Sequence, residues 1–264
     1  MPATQSILCH IRSWTNLADQ SDGELLTRYC RTHDESAFAS IVERHGSMVL
    51  GVARRLVRDD HSAEDVFQAT FLVLARQAQV VRRPEALGSW LHGVALRLGR
   101  KVAARAERDR QPDCRPVSTP QKNPIDELSW REMQQMLDEE VRRLPERYRL
   151  PLVLCYLEGR TRDEAAAQLG WSTQQVKGRL ERGRERLRQR LVRRGVGLSA
   201  ALVASLLTEH TCAAVPPLLA LSLIPSAINY GLRRANDGTS SATIALADGV
   251  IRTMHAPIWK MAAV

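Results

Sequence analysis

The chain is poor in aromatic residues and shows no pattern of paired cysteines. Phe, Trp and Tyr make up 5% of its 264 residues, a composition that suits helical packing on Leu, Val and Ala. The five cysteines are odd in number, widely scattered and without a CxxC pair. That spacing argues against a disulfide framework and against a zinc site, and it predicts a reducing cytoplasm. A strand-like alternation of useful length is also missing.

Motifs of catalysis are missing as well. The sequence has neither a GxxxxGK[ST] phosphate loop nor a GxSxG nucleophile turn. Its seven histidines are dispersed, and the pair His210 and Cys212 is more often incidental than a metal site. The N-terminus lacks the basic start and apolar stretch of a signal peptide. We therefore predict no enzyme activity, no catalytic residues, no cofactor and no metal.

Positive charge is abundant and concentrated in one segment. The whole chain carries a formal charge of +9, and residues 171–195 contain nine Lys or Arg against two acids, a local charge of +7. A short helix is predicted over residues 163–169, with Gly170 ending it and Ser172 capping a second, arginine-rich helix. A helix-turn-helix with a cationic second helix is typical of binding in the DNA major groove. A solvated basic helix beside a helical hairpin is the alternative.

Helical periodicity organises residues 21–109. A capping box, Ser21 to Glu24, opens a short helix, and apolar residues spaced by three and four from Phe38 predict a long amphipathic helix. Asp60 or Ser62 can cap a third helix, in which Phe67 and Phe71 are interpreted as core. A fourth helix should turn Trp90 inward.

Prolines then divide the chain. Four of them, at 112, 116, 120 and 124, forbid a regular helix and predict a linker over residues 110–125. A second helical block follows over 126–195. Within it, Pro145 should lie in the first turn of a helix, and Pro151 should kink that helix or delay its start.

The last segment, 196–264, is rich in Ala, Leu, Ser and Pro. Residues 210–232 carry no Asp, Glu, Lys or Arg, a length that could span a bilayer. Because prolines and polar residues interrupt this stretch, we expect short helices over 198–207 and 218–228 that pack on one of the two domains, and we expect no membrane association. The tail is predicted to modulate promoter access, although the sequence does not define its role.

Two motifs give the chain a family resemblance. The first is AFASIVERHGSMVLGVARRLVRDDHSAEDVFQATFLVL, followed by GSWLHGVA; the second is LPERYRLPLVLCYLEGRTRDEAAAQLGWSTQQVKGRLERGRERL. In this order they resemble an extracytoplasmic-function (ECF) sigma factor of the sigma-70 family, most similar to variants common in planctomycete bacteria. The resemblance covers roughly residues 21–195.

The resemblance implies an all-α fold of two small helical domains with a C-terminal helical extension. It implies an N-terminal arm (1–20), a core-polymerase and −10 domain (21–109), the linker (110–125), a −35 helix-turn-helix domain (126–195) and the extension (196–264). Its implied partners are core RNA polymerase, promoter DNA and, if one exists, an anti-sigma factor. Its implied function is promoter-specific transcription initiation.

Three sets of site residues follow from the resemblance. Core polymerase should contact an acidic and polar patch: Asp59, Asp60, Glu64, Asp65 and Gln68. The −10 DNA should contact Arg82, Arg83, Arg97, Arg100, Lys101 and Arg105. The −35 DNA should contact Thr173, Gln174, Gln175, Lys177, Arg179, Arg182 and Arg186. Within the last set, Gln174, Gln175 and Lys177 suit base edges, whereas the arginines suit phosphates.

Alternatives remain at this point. The acidic patch could simply complement a helix dipole. The whole chain could be a helix-turn-helix regulator that does not bind polymerase, or a membrane-anchored signalling module resting on residues 210–232.

Overall fold

The computed structural model describes residues 20–109, 130–196, 215–234 and 239–254, and within these ranges all regular structure is helical. The first four helices are α1 (Asp22–Thr32), α2 (Glu35–Leu56), α3 (Asp60–Gln77) and α4 (Leu87–Asp109). The next four are α5 (Trp130–Arg143), α6 (Glu146–Leu152), α7 (Arg162–Leu169) and α8 (Thr173–Arg193). The tail adds α9 (Pro217–Gly231) and α10 (Ser241–Met254). The linker prediction and the predicted tail helix over 198–207 lie outside the described residues.

The helix starts follow the polar residues that precede them. Ser21 and Glu24 form the predicted capping box at α1. The start of α3 differs from the prediction, because Asp59 rather than Asp60 or Ser62 is the N-cap: its carboxylate accepts the Ser62 backbone N–H at 2.7 Å. A side-chain oxygen one residue before the helix satisfies an N–H group that the helix itself leaves unpaired.

Helices α1 to α4 enclose the first core. Phe67 and Phe71 are fully buried, as predicted, with ring centroids 5.1 Å apart, and Phe38 packs edge-on against Phe71. Trp90 is only half-buried, so the prediction that it turns inward holds in part. The loop between α3 and α4 connects two helices of this bundle.

Proline shapes the second bundle, α5 to α8, at two places. Pro145 is the N-cap of α6 and not a first-turn residue, which corrects the prediction by one position. Pro151 lies inside α6, and the chain continues directly into a π-turn over Val153–Leu157. Because proline supplies no backbone N–H and crowds the preceding turn, a wider turn after Pro151 fits the expected disturbance.

The two tail helices pack on α3. α9 covers the predicted helix over 218–228, and both α9 and α10 lie against α3 on the first domain. Asp65 and Arg76 contact the tail, since Asp65 accepts from the Thr243 hydroxyl at 2.6 Å and Arg76 stacks 4.2 Å from the Tyr230 ring centroid. Ala69 lies between them on the same helical face and is fully buried.

No helix in the described ranges has the length and apolar character needed to cross a membrane.

Candidate nucleic-acid interface

The turn between α7 and α8 is fixed by three local devices. Thr161 and Glu164 form a capping box at the start of α7. Gly170 ends α7 with φ = 64°, a left-handed conformation that glycine adopts without steric penalty. Ser172 caps α8 through the Gln175 backbone N–H at 3.2 Å. The predicted helix-turn-helix is therefore present, and Thr173, Gln174 and Gln175 in the first turn of α8 are exposed.

The start of α8 presents polar and cationic side chains to solvent. Gln174, Lys177 and Arg182 are exposed, whereas Val176 and Leu180 are buried against the bundle. An exposed helix N-terminus with an amide and an ammonium group has the size and chemistry to enter a major groove. These three residues are the freest candidates for DNA contact in the predicted set.

Two other residues of the predicted −35 set have structural duties. The Gln175 side-chain oxygen accepts the Ser172 backbone N–H at 3.2 Å, completing a second capping box. The Thr173 hydroxyl donates to the Asp163 carboxylate at 2.8 Å and thereby ties α8 to α7. The sequence motif Ser172-x-x-Gln175 is a capping-box signature, so this duty of Gln175 could have been read from the sequence.

Aromatic rings orient two of the predicted phosphate-binding arginines. The guanidinium of Arg179 lies 3.7 Å from the Trp171 ring centroid, and that of Arg186 lies 4.7 Å from the Tyr148 ring centroid. Trp171 is half-buried and packs against the core, as predicted for a tryptophan between the helices. A guanidinium stacked on a ring keeps its N–H edge available while it loses rotational freedom.

The connection between α3 and α4, residues 78–86, carries Arg82 and Arg83 of the predicted −10 set and is called the −10 loop; it frames a small cavity. Its walls enclose about 280 Å³ and include Val80, Arg82 and Trp90 from the first domain. Glu146 and Arg149 of α6 complete the lining. The −10 loop therefore meets the second domain directly.

The predicted −10 cations divide into exposed and paired groups. Arg82, Arg97 and Lys101 are exposed, and Arg105 lies 3.6 Å from Asp109 on the surface of α4. Arg83 and Arg100 instead pair with carboxylates of the second domain. Arg83 bonds Glu146 at 2.7 Å, and Arg100 forms an ion pair with Glu139.

The acidic patch on α3 contains residues with different roles. Asp59 and Asp60 are exposed, and Asp60 lies 3.3 Å from Arg54. The Asp59 carboxylate accepts the backbone N–H of Ser62, and this bond holds the pKa of Asp59 below its usual range. Asp59 therefore serves as the N-cap of α3. Glu64 and Gln68 are half-exposed, and Asp65 is bonded to the tail. The structure thus brings the five residues together on α3 and its N-cap, and the Asp65 carboxylate is already bonded to Thr243 of the tail.

Sequence reasoning missed a buried charge cluster between the domains. Arg55 of α2 makes a two-point contact with Asp138 of α5, at 2.8 and 3.0 Å, and His92 of α4 lies 3.1 Å from the same carboxylate. Burial alone would raise the pKa of Asp138, but Arg55 and His92 reverse that effect and hold the pKa well below its usual value.

A second buried cluster lies near the first. His45 of α2 is fully buried, with Nδ1 3.1 Å from Glu158 of the second domain and Nε2 3.2 Å from Asp22 of α1. Burial lowers the pKa of His45, but Glu158 and Asp22 outweigh it and raise the pKa to about 10. Position 88 holds glycine here, and a Cβ at that position would collide with the Glu158 carboxylate.

Known proteins match both helical domains. The family model for sigma-70 region 2 matches residues 41–108, and that for sigma-70 region 4 matches residues 134–187. The ECF RNA polymerase sigma factor SigE of Mycolicibacterium smegmatis is 30% identical over 191 residues, which are 68% of this chain and 72% of that protein. The chain belongs to the ECF sigma factors of the sigma-70 family. This sigma factor directs promoter-specific transcription initiation.

Further relatives agree with the assignment. The ECF sigma factor SigW of Bacillus subtilis is 25% identical over 169 residues, 60% of this chain and 90% of that protein. The sigma-H factor of Pseudomonas aeruginosa is 24% identical over 184 residues, 64% of this chain and 93% of that protein. The alternatives of a plain helix-turn-helix regulator and of a membrane-anchored signalling module are not favoured. The partners of the sigma factor are core RNA polymerase and promoter DNA.

Proposed function

We propose that this sigma factor divides promoter recognition between its domains, with residues 21–109 binding core polymerase and the −10 element and residues 126–195 binding the −35 element. The observation that carries the proposal is the exposed start of α8, where Gln174 and Lys177 project beyond a rigidly capped turn. The sigma factor acts in the cytoplasm and has no catalytic activity of its own, since the polymerase performs the chemistry.

Base readout by α8 rests on Gln174 and Lys177, and phosphate contact rests on Arg182. Replacing Lys177 by Ala should change the preference among −35 sequences by about 1–3 kcal/mol for the affected base pair. Replacing Arg182 by Ala should weaken binding to all sequences alike and reduce the salt dependence by about one counterion. Competition binding across a set of single-base −35 variants measures both effects. A specificity change in Arg182→Ala without one in Lys177→Ala would contradict this register.

Core-polymerase binding rests on the exposed end of the α3 patch. Asp60 is solvent-exposed at the start of α3, where it can meet a basic partner surface. Asp60→Lys should weaken the affinity for purified core polymerase, whereas Glu35→Lys, at the exposed first turn of α2, serves as the matched charge reversal. Equal affinities of the two variants for core polymerase would remove Asp60 from the interface.

The deciding experiment is transcription in a purified system. Core polymerase, this sigma factor and a library of promoter fragments should yield transcripts that start at defined positions. Core polymerase alone should not yield them. A protein that binds DNA but never directs initiation would overturn the proposed division of labour.

A further inference from the structure

The end of α9 carries arginines that belong neither to the polymerase-binding patch nor to the −10 and −35 sets. Arg233 and Arg234 follow α9, and both are exposed. Arg76 of α3 stacks 4.2 Å from the Tyr230 ring centroid, and its Nε donates to the Tyr230 carbonyl oxygen at 3.2 Å. The backbone N–H of Arg233 donates to the same carbonyl oxygen, also at 3.2 Å. These contacts bring cations of α3 and of the tail together.

A fourth arginine joins them from α10. The Tyr230 hydroxyl donates to the Asp248 carboxylate, and Arg252 lies four residues farther along α10, on the same helical face. Arg252 is exposed. Asp248 is the single acid in residues 229–234 and 241–254, so positive charge dominates here. The tail cation group is defined as Arg76, Arg233, Arg234 and Arg252.

The backbone at Arg233 adopts a conformation in which glycine is usual. Arg233 has φ = 57°, and the Arg234 N–H donates back to the Asn229 carbonyl oxygen at 2.9 Å. This bond closes α9 as a Schellman turn, whose left-handed residue is usually glycine because a side chain crowds the backbone there. Gly170 and Gly195 hold the equivalent position after α7 and α8. Residues held in such sparsely populated conformations cluster at functional sites.

The tail cation group lies beside the start of the −10 loop. Gly231 approaches α3 so closely that a Cβ there would lie 3.1 Å from the Ala75 carbonyl oxygen. The −10 loop begins at residue 78. The chain from Ala75 to that residue spans at most about 11 Å between Cα atoms. Since a strand of B-DNA carries one phosphate per about 3.4 Å of helix axis, a strand held by the −10 loop can reach these arginines within a few nucleotides.

We infer that the tail extends the −10 interface, with the tail cation group binding DNA phosphates next to the −10 element. A guanidinium fork matches the oxygens of a phosphate group. The contact supplies affinity without base preference, because phosphates carry no sequence information. The inference rests on the proposed function, which makes the −10 loop the neighbouring DNA site.

The test measures DNA binding by holoenzyme reconstituted from core polymerase and the full chain. Fluorescence anisotropy gives the affinity for a promoter fragment selected in the transcription assay, at several KCl concentrations and with several −10 sequences. Arg234→Ala should weaken binding to all of these sequences alike and lower the salt slope by about one. Arg58→Ala removes an exposed cation just before α3, at the opposite end of that helix from Arg76. This matched control should bind like the wild type.

Arg233→Gly separates DNA contact from a structural role. Glycine relieves the left-handed backbone, so this variant should keep or raise the melting temperature while it lowers the salt slope by about one. Arg233→Lys retains the charge and should restore most of the DNA affinity. If Arg233 only complements the dipole of α9, Arg233→Gly will leave DNA binding unchanged.

Wild-type salt slopes in both Arg233→Gly and Arg234→Ala would overturn the inference. Loss of binding to phosphatidylglycerol vesicles in these variants, with unchanged DNA affinity, would overturn it too and assign the arginines to a lipid surface. Failure of the wild type to direct initiation with core polymerase would instead overturn the proposed function.

Discussion

His45 is a residue whose charge state depends on the docked domains. It lies between Asp22, which Arg44 also contacts at 2.6 Å, and Glu158. Its pKa is raised from an ordinary 6.5 to about 10. Because the folded protein holds the proton more tightly than the unfolded chain, the stabilisation from His45 is complete below pH 6.5 and is lost as the pH rises to about 10.

This argument predicts a pH-dependent effect of His45→Gln. The variant should have a lower free energy of unfolding than the wild type at pH 6, and the difference should shrink towards pH 10. Urea denaturation of both proteins at each pH measures it. A constant difference across this range would show that His45 contributes through packing and not through its charge.

Gln175 stabilises the start of α8, so a substitution of Gln175 should change the stability of the protein as well as any contact with DNA. Because its side chain completes the α8 capping box, Gln175→Ala should lower stability by about 0.3–1.5 kcal/mol. Gln175→Glu keeps an acceptor for the Ser172 N–H and should retain most of that stability. Thermal unfolding compares the two variants. Equal melting temperatures for Gln175→Ala and wild type would show that the cap contributes nothing measurable.

At the scale of single helices, periodicity and capping residues predicted most of the first two domains. The sequence around Ser21 and Gly170 contains the local chemistry that starts and ends helices, so those boundaries were predictable. The cap at Asp59 was harder, because Asp59, Asp60 and Ser62 are all acceptable capping residues. For the tail, apolar content predicted the helix over 218–228 and its burial, but it did not define which helix it packs on.

The tail's contact with α3 yields a prediction about polymerase binding. Thr243 is buried and donates to Asp65, a member of the proposed polymerase-binding patch. Thr243→Val removes the donor while keeping the shape, and it should free Asp65 and raise the affinity for core polymerase. Hydrogen bonds to charged groups contribute about 1.5–3 kcal/mol, which bounds the effect. Thr243→Ser retains a hydroxyl and is the matched control; equal affinities of the two variants would mean that Asp65 does not contact polymerase.

At the scale of the whole molecule, the sequence predicted the two domains but not their mutual contact. Asp138 and Glu158 look like ordinary polar residues of helical segments, and their partners Arg55 and His45 lie 83 and 113 positions away in the sequence, on the other side of the linker. Nothing in local periodicity links such distant charges. The missed part of the site is therefore the part made by tertiary contact, whereas the α8 surface, which is built locally, was predictable.

The second domain and the tail contact the first domain through different polar bonds. The second domain reaches α2 and α4 through the charge clusters, whereas Asp65 and Arg76 of α3 contact the tail, whose helices also pack on α2 and α4. The named partners of Glu158 and of Thr243 do not overlap. Independent sites usually give additive free energies, within about 0.3–0.5 kcal/mol.

We therefore expect Glu158→Gln and Thr243→Val to lower the free energy of unfolding by amounts that add in the double variant. Urea denaturation of the wild type, both single variants and the double variant gives the coupling energy directly. Additive losses would mean that the second domain and the tail stabilise the first domain independently. A double variant that loses clearly less than the sum would mean that one contact depends on the other, because the second substitution would then have less left to remove.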